Sequence, residues 1–335
     1  MAQRADAVTS RFGIAAAALV VAAVVLAFVG IATRIEPGAG LGPGDWAAIR
    51  FTIVQSVLSA GISVLLAIPL ARALARRRFF GRGVLVTLLG APFILPVIVA
   101  DLGLVTVFGR NGWFNTGLEI LGIPGFSIYG LHGVVLAHVF FNLPLATRLL
   151  LQGWQTIPAE RFRLVAQLRL PPATVFRTLE WPLLKQLVPG VAALIFVICL
   201  TSFEVALTLG GGPRATTVEL AIYQAFKFDF DLGRAATLAI VQLVLAGGAA
   251  LIALWMIPPI SVGGGIDRPI KRWDATGGFQ RLFDVGIVSV STLFLILPLC
   301  AVVARGAIGL GQVPASVWQA AGSSLFVAAI SVCLL

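Results

Sequence analysis

Apolar runs about as long as a bilayer is thick alternate with short polar stretches along this chain, and no other feature restricts its fold as strongly. They cover residues 12–32, 52–74, 84–108, 131–151, 188–209, 236–257 and 283–303, with a further run beginning near 320. Lipid offers no partner to an open strand edge, so each run is expected to be a helix. The first run is longer than the apolar part of an ordinary signal peptide and is expected to remain as a span. The chain carries 59% hydrophobic and 11% charged residues, where a soluble domain carries about 25% charged. It therefore reads as an all-α polytopic membrane protein, a transmembrane helix bundle.

The net charge is +10, but the position of each cation says more than the total. With a cytoplasmic N-terminus, 17 of the 24 Lys and Arg fall inside and 7 outside, which follows the positive-inside bias. Trp46 and Trp113 would then mark one interface, and Trp154, Trp181 and Trp255 the other. No aromatic-rich basic surface accompanies the charge, so no nucleic-acid partner is expected. Cys199, Cys300 and Cys333 lie in apolar runs without C-x-x-C spacing and read as small core residues. His132 and His138 are six apart, a spacing that does not stack two ligands on one helix face. No metal or cofactor site is expected.

Between the fourth and fifth runs lies the stretch Thr156–Pro182, TIPAERFRLVAQLRLPPATVFRTLEWP, polar but built to fold. Thr156 is expected to cap a helix, with Pro158 in its first turn. Ile157, Leu164, Val165 and Leu168 recur at helical spacing, and Glu160, Arg163 and Gln167 fall on another face. Pro171 and Pro172 are expected to stop that helix. A second short one would run from Pro172 toward Trp181, before Pro182 opens the next span. Such a segment lies at a membrane surface and offers a face to a cytosolic partner.

This layout resembles the cytoplasmic coupling loop of ABC importer permeases, whose pattern is E-A-A, three residues, Gly, nine residues, then I-x-L-P. Arg163-Leu164-Val165 stands at E-A-A, Arg169 at the Gly and Leu179-Glu180-Trp181-Pro182 at I-x-L-P, with the full spacing kept. The stretches LAHVFFNLPLATRLLLQ (Leu136 to Gln152), VFGRNGW (Val107 to Trp113) and LGGGPRATTVELAIYQAF (Leu209 to Phe226) narrow the match. Together they look like the permease family of the bacterial thiamine/thiamine pyrophosphate ABC transporter, most closely over residues 50–260. The resemblance implies a type I ABC importer permease fold in the bacterial inner membrane. It also implies two cytosolic ABC ATPase subunits and a periplasmic thiamine-binding protein as partners. On it, Glu160, Arg163, Leu164, Val165, Ala166, Arg169 and Pro182 would form the ATPase contact.

The outer segment Gly210 to Asp231 is expected to hold a short helix with Val218, Ile222, Ala225 and Phe226 as its apolar stripe, a lid where a binding protein would dock. Residues 258–282 hold Pro258, Pro259 and Gly263–Gly265, and 261–282 read as a cytoplasmic linker. After it the chain restarts: SVLSAGISVLLA (Ser56 to Ala67) aligns with SLFVAAISVCLL (Ser324 to Leu335). The family carries two fused halves. Residues 1–260 are therefore expected to be a first permease half of about six spans, and 283–335 the incomplete start of a second. A second permease half or a homodimer partner would complete the pore.

A phosphate-binding P-loop needs Gly directly before its Lys. Here Lys185, Lys227 and Lys271 follow Leu, Phe and Ile, so ATP hydrolysis must come from a partner subunit. Two carboxylates, Asp101 and Glu204, lie within apolar runs. An ionisable group at a span centre costs about 2.5 to 3.5 kcal/mol, so both should face protein or water. For a cation such as thiamine, a cavity-facing carboxylate would offset charge, and Phe140, Phe141 or Phe203 would add cation–π attraction. Asn142 would line the same path, and Pro144 would interrupt or kink its helix. Two rivals remain at this stage: an iron(III) permease of the same architecture, and a proton-coupled secondary transporter using Asp101 and Glu204.

Overall fold

Small and polar side chains recur every three to four residues along the helix Pro43–Arg76. Thr52, Gln55, Ser56, Ser59 and Ser63 are all fully buried, beside Ala60, Ala67 and Leu70. Side chains this small let two helix backbones approach closely, and their polar atoms need partners that lipid cannot supply. The stripe therefore fixes which face of this helix turns inward.

The computed structural model of the chain describes residues 40–212, 215–256, 277–309, 311 and 313–334, with several positions between 13 and 34. In chain order the principal helices are α1 (Pro43–Arg76), α2 (Val97–Phe108), α3 (Trp113–Ile120), α4 (Leu131–Gln155) and α5 (Ala159–Gln167). They continue with α6 (Trp181–Leu200), α7 (Val218–Lys227), α8 (Leu232–Met256), α9 (Gly278–Gly309) and α10 (Ala315–Leu334). Among the described residues there is no strand, and 7 helical segments are long and apolar enough to cross a membrane. The protein is an all-α, multi-pass membrane protein. Parts of the first expected span and residues 258–276 of the linker stretch lie outside the described residues.

Two expected spans have different limits. Residues 84–108 are not one helix: short turns at Arg82–Leu88 and Ala91–Ile94 precede a break at Leu95 and Pro96, after which α2 begins. Proline disfavours helical backbone in the residue before it, and the apolar run conceals that break. The run at 188–209 is helical from Pro172 and ends at Leu200. Pro182 follows the π-helical segment Phe176–Glu180 directly and Pro189 lies further along α6, so both prolines are carried inside a continuous helix. Pro144 likewise lies within α4 without ending it.

The helices fall into two compact units. The first contains α1, α4 to α8 and the start of α9 as far as Ser289; the second contains α2, α3, the rest of α9 and α10.

In the first unit α1 lies along α4 and α6, and α8 packs on α6 and α7. Polar groups mark the seams. Gln55 Nε2 donates to the Cys199 carbonyl and to Ser56 Oγ, both at 2.8 Å. Ser59 Oγ lies 3.3 Å from His138 Nδ1. Bonds of this kind between membrane helices contribute about 0.6 kcal/mol each on average, so they specify register more than they add stability.

The α7 helix is fastened at its first turn. Thr217 caps it, and Thr52 Oγ1 of α1 accepts the Val218 amide at 2.9 Å. Val218 and Ala221 pack with Ala48, Ile49 and Leu238, and Ile222 leans on the same cluster. Phe226, expected on this stripe, is instead 59% exposed. Eight residues beyond Val218 it has turned about 80° away, whereas Ala225 returns to the buried face. At the start of α8, Arg234 donates to Asp45 Oδ1 at 2.8 and 3.0 Å and to Asp229 at 3.1 Å, tying α1 to the α7–α8 connection.

In the second unit the backbones of α2 and α9 meet closely: a Cβ on Gly103 would lie 2.6 Å from the Pro298 carbonyl oxygen. Phe108 packs against Phe114 and Phe294, with ring centroids 5.8 and 6.3 Å apart. Asn115, buried, donates to the carbonyls of Gly109 and Phe126 and accepts the Phe126 amide, which folds residues 121–128 back on α3. Of the three cysteines expected in the core only Cys199 is buried; Cys300 and Cys333 are exposed on apolar helix faces.

Candidate functional site

The polar stretch after α4 folds into a defined unit, its helix beginning two residues later than expected. Thr156 does not cap α5. It closes α4 instead, its hydroxyl donating to the Gly153 carbonyl at 2.8 Å. A hydroxyl can serve either end of a helix, and here Pro158 in extended conformation takes the N-cap position of α5. Of the expected apolar stripe only Val165 is buried; Leu164 and Leu168 are 57% and 61% exposed. Glu160, Arg163, Gln167 and Arg169 are exposed as well. The helix thus seats one valine on the protein and presents two leucines among basic side chains outward.

The helix ends in a tight left-handed turn. The Arg169 amide donates to the Ala166 carbonyl and the Leu170 amide to the Val165 carbonyl, at 3.1 and 3.3 Å. Arg169 has φ +48°. This pair of bonds is the Schellman arrangement, whose left-handed residue is usually glycine because a Cβ is strained there. The loop pattern of the ABC permeases has glycine at this position, and this chain keeps the turn with an arginine.

From Pro172 the chain is helical again. A turn at Pro172–Val175 passes into a π-helical segment, Phe176–Glu180, and then without a break into α6. The second short helix, expected from Pro172 toward Trp181, is thus a turn and a π segment continuous with α6, and Pro182 is exposed near the start of α6. Glu180 lies inside, with 0% exposure, and Arg72 Nε of α1 donates to its Oε2 at 2.6 Å. The same guanidinium stands 4.7 Å from the centre of the Phe176 ring. One turn further along α1, Arg76 and Arg77 both donate to Asp284 of α9, at 2.6 and 2.8 Å, and that carboxylate is 1% exposed. Each buried carboxylate is therefore neutralised, as burial requires. Reading α1's arginines as markers of membrane side missed both partnerships. Three arginines on adjacent turns, with carboxylates on the same expected side, were the available signal.

The residues expected along a translocation path are distributed differently. Asn142 is buried in the α4–α6 seam, its Nδ2 donating to the His138 carbonyl and to Cys199 Sγ, at 2.9 and 3.3 Å. Phe203 and Glu204 lie beyond the end of α6, not within a span. Phe203 packs edge-on against Tyr223 with centroids 5.2 Å apart, and Glu204 is exposed at the start of the short helix Glu204–Leu209. Asp101 is buried in α2 and belongs to the second unit. Phe140 is fully buried against Phe141 and lines no surface.

No family model matches the chain. It is 45% identical over 289 residues to the thiamine transport system permease protein ThiP of Escherichia coli, covering 84% of this chain and 53% of that protein. To the protein of the same name from Salmonella typhimurium it is 43% identical over 324 residues, covering 94% of the chain and 60% of the relative. To that from Brucella abortus it is 43% identical over 263 residues, covering 78% and 48%. These relatives favour neither the iron(III) nor the proton-coupled reading. The chain spans about half the length of the curated relatives it matches, and over that length it is similar to these transport system permease proteins.

Proposed function

We propose that this chain is the membrane-spanning subunit of a type I ABC importer that moves thiamine or its phosphates across the bacterial inner membrane. The observation that carries this reading is the 43–45% identity to thiamine transport system permeases over 78–94% of the chain. In this reading the N-terminus and the α4–α6 loop are cytoplasmic. Two ABC ATPase subunits bind the loop through Glu160, Arg163, Leu164, Ala166, Arg169 and Pro182, with Val165 anchoring α5 from behind. The exposed leucines and arginines of α5 support that assignment, since they offer an apolar ridge flanked by cations. A periplasmic thiamine-binding protein delivers substrate near α7. Glu204, exposed beyond α6 next to Phe203, faces the path, and its carboxylate offsets the thiazolium charge. Residues 1–260 act as one permease half, joined by 261–282 to a second.

Radiolabelled thiamine uptake into proteoliposomes holding the full-length permease, its ATPase and its binding protein tests the reading. Uptake should need ATP and the binding protein. Co-purification of the ATPase should be lost when residues 163–169 are replaced by a Gly/Ser linker. Uptake that persists without ATP and collapses with the proton gradient would contradict it.

A further inference from the structure

Loop residues 159–180 meet the bundle in two different ways. Val165 and Val175 are buried apolar side chains, 7% and 1% exposed, and apolar contacts of this kind permit sliding. Glu180 is different: its carboxylate receives the Arg72 Nε at 2.6 Å with no solvent exposure of its own. The loop also brings Phe176 to the same guanidinium, at 4.7 Å from the ring centre. Phe176 and Glu180 are the first and last residues of the π-helical segment, and π-turns are frequent where helices carry function. One arginine of α1 thus grips both ends of that segment, by its planar edge and by its face.

A buried ion pair gains little stability over an apolar pair of similar volume. What it adds is a fixed distance and direction between the two elements. Arg72 also shares its end of α1 with Arg76 and Arg77, which hold Asp284 of α9. The last turns of α1 therefore gather the loop and the start of α9 onto one rigid rod.

We propose that the Arg72–Glu180 pair is the joint through which movement of loop residues 159–180 is passed to α1, making Arg72 and Glu180 positioning residues for ATP-driven transport. The inference rests on the importer reading above. Work delivered to α5 reaches Glu180 through the left-handed turn at Arg169 and the turn after Pro171. The ion pair converts it into displacement of α1, and through Asp284 of α9.

The test uses the full-length permease reconstituted with its ATPase and binding protein. Glu180→Leu, which leaves Arg72, its side chain 23% exposed, to turn toward water, should cut thiamine uptake by about tenfold while ATPase co-purification and ATP turnover stay within about twofold of wild type. Arg72→Lys keeps the charge but not the planar fork and should fall between. The exchange Arg72→Glu with Glu180→Arg should restore at least half of the lost uptake. Uptake by Glu180→Leu equal to wild type, or an exchanged pair that folds with wild-type Tm yet restores nothing, would overturn the joint. Wild-type protein without ATP-driven uptake would instead sink the importer reading itself, so the two failures are distinguishable.

Discussion

The amide of Leu170 donates to the carbonyl of Val165 at 3.3 Å, reaching across Arg169, whose φ is +48°. This bond closes α5 and sets the direction in which the chain leaves for α6. A side chain in left-handed backbone costs about 1 kcal/mol relative to glycine. Arg169→Gly should therefore stabilise the loop by about that amount, seen as slower amide exchange at Leu168 to Leu170. Arg169→Val should destabilise it further, because a β-branched side chain is strained more at that φ.

Asn115 provides a second local test, in the second unit. Its amide satisfies Gly109 and Phe126 through three hydrogen bonds and is 1% exposed. Asn115→Ala removes all three bonds; the Gly109 carbonyl keeps the Gly112 amide, while the part-buried Phe126 amide and carbonyl lose their partner, at about 0.5–1.5 kcal/mol per bond lost. The expected result is faster proteolysis within residues 121–128 with α4 and α6 unaffected.

Glu219 predicts a pH dependence. Burial in the first turn of α7 raises its carboxyl above the ordinary glutamate range, and the hydrogen bond from Gln242 Nε2, at 3.3 Å, only partly opposes this. With the folded value above the unfolded one, the folded state holds the proton more tightly. Stability should therefore decline as pH rises from the usual glutamate range through the raised folded value. Glu219→Gln should flatten that decline in a detergent melting curve recorded against pH; an unchanged slope would contradict the assignment.

The helical, membrane-spanning character of the chain was legible because lipid admits few alternatives to a long apolar helix. Where spans begin and end was less so. The break at Leu95 and Pro96 lies inside an unbroken apolar run, and the end of α6 at Leu200 is marked only by Thr201, Ser202 and Glu204, which a window of hydropathy averages away. Glu204 looked like a charge within a span for that reason, and it stands exposed beyond α6. The short helix between α4 and α6 was legible through its spacing and the prolines after it, whereas the left-handed turn at Arg169 was not, because arginine carries no preference for that backbone. Thr156 was misjudged because hydroxyl residues serve either end of a helix. The Arg72–Glu180 pair was invisible, since its members are 108 residues apart and each had a sufficient local reading of its own.

The account depends on α5 facing the cytoplasm and docking an ATPase. Leu164 is exposed there, so a single cysteine at Leu164→Cys, with Cys199, Cys300 and Cys333 replaced by alanine, can report both. In inside-out membrane vesicles a membrane-impermeant maleimide should label it, and the ATPase subunit should block the label and form a crosslink to it. Labelling from the periplasmic side, or labelling that the ATPase leaves unchanged, would contradict the account.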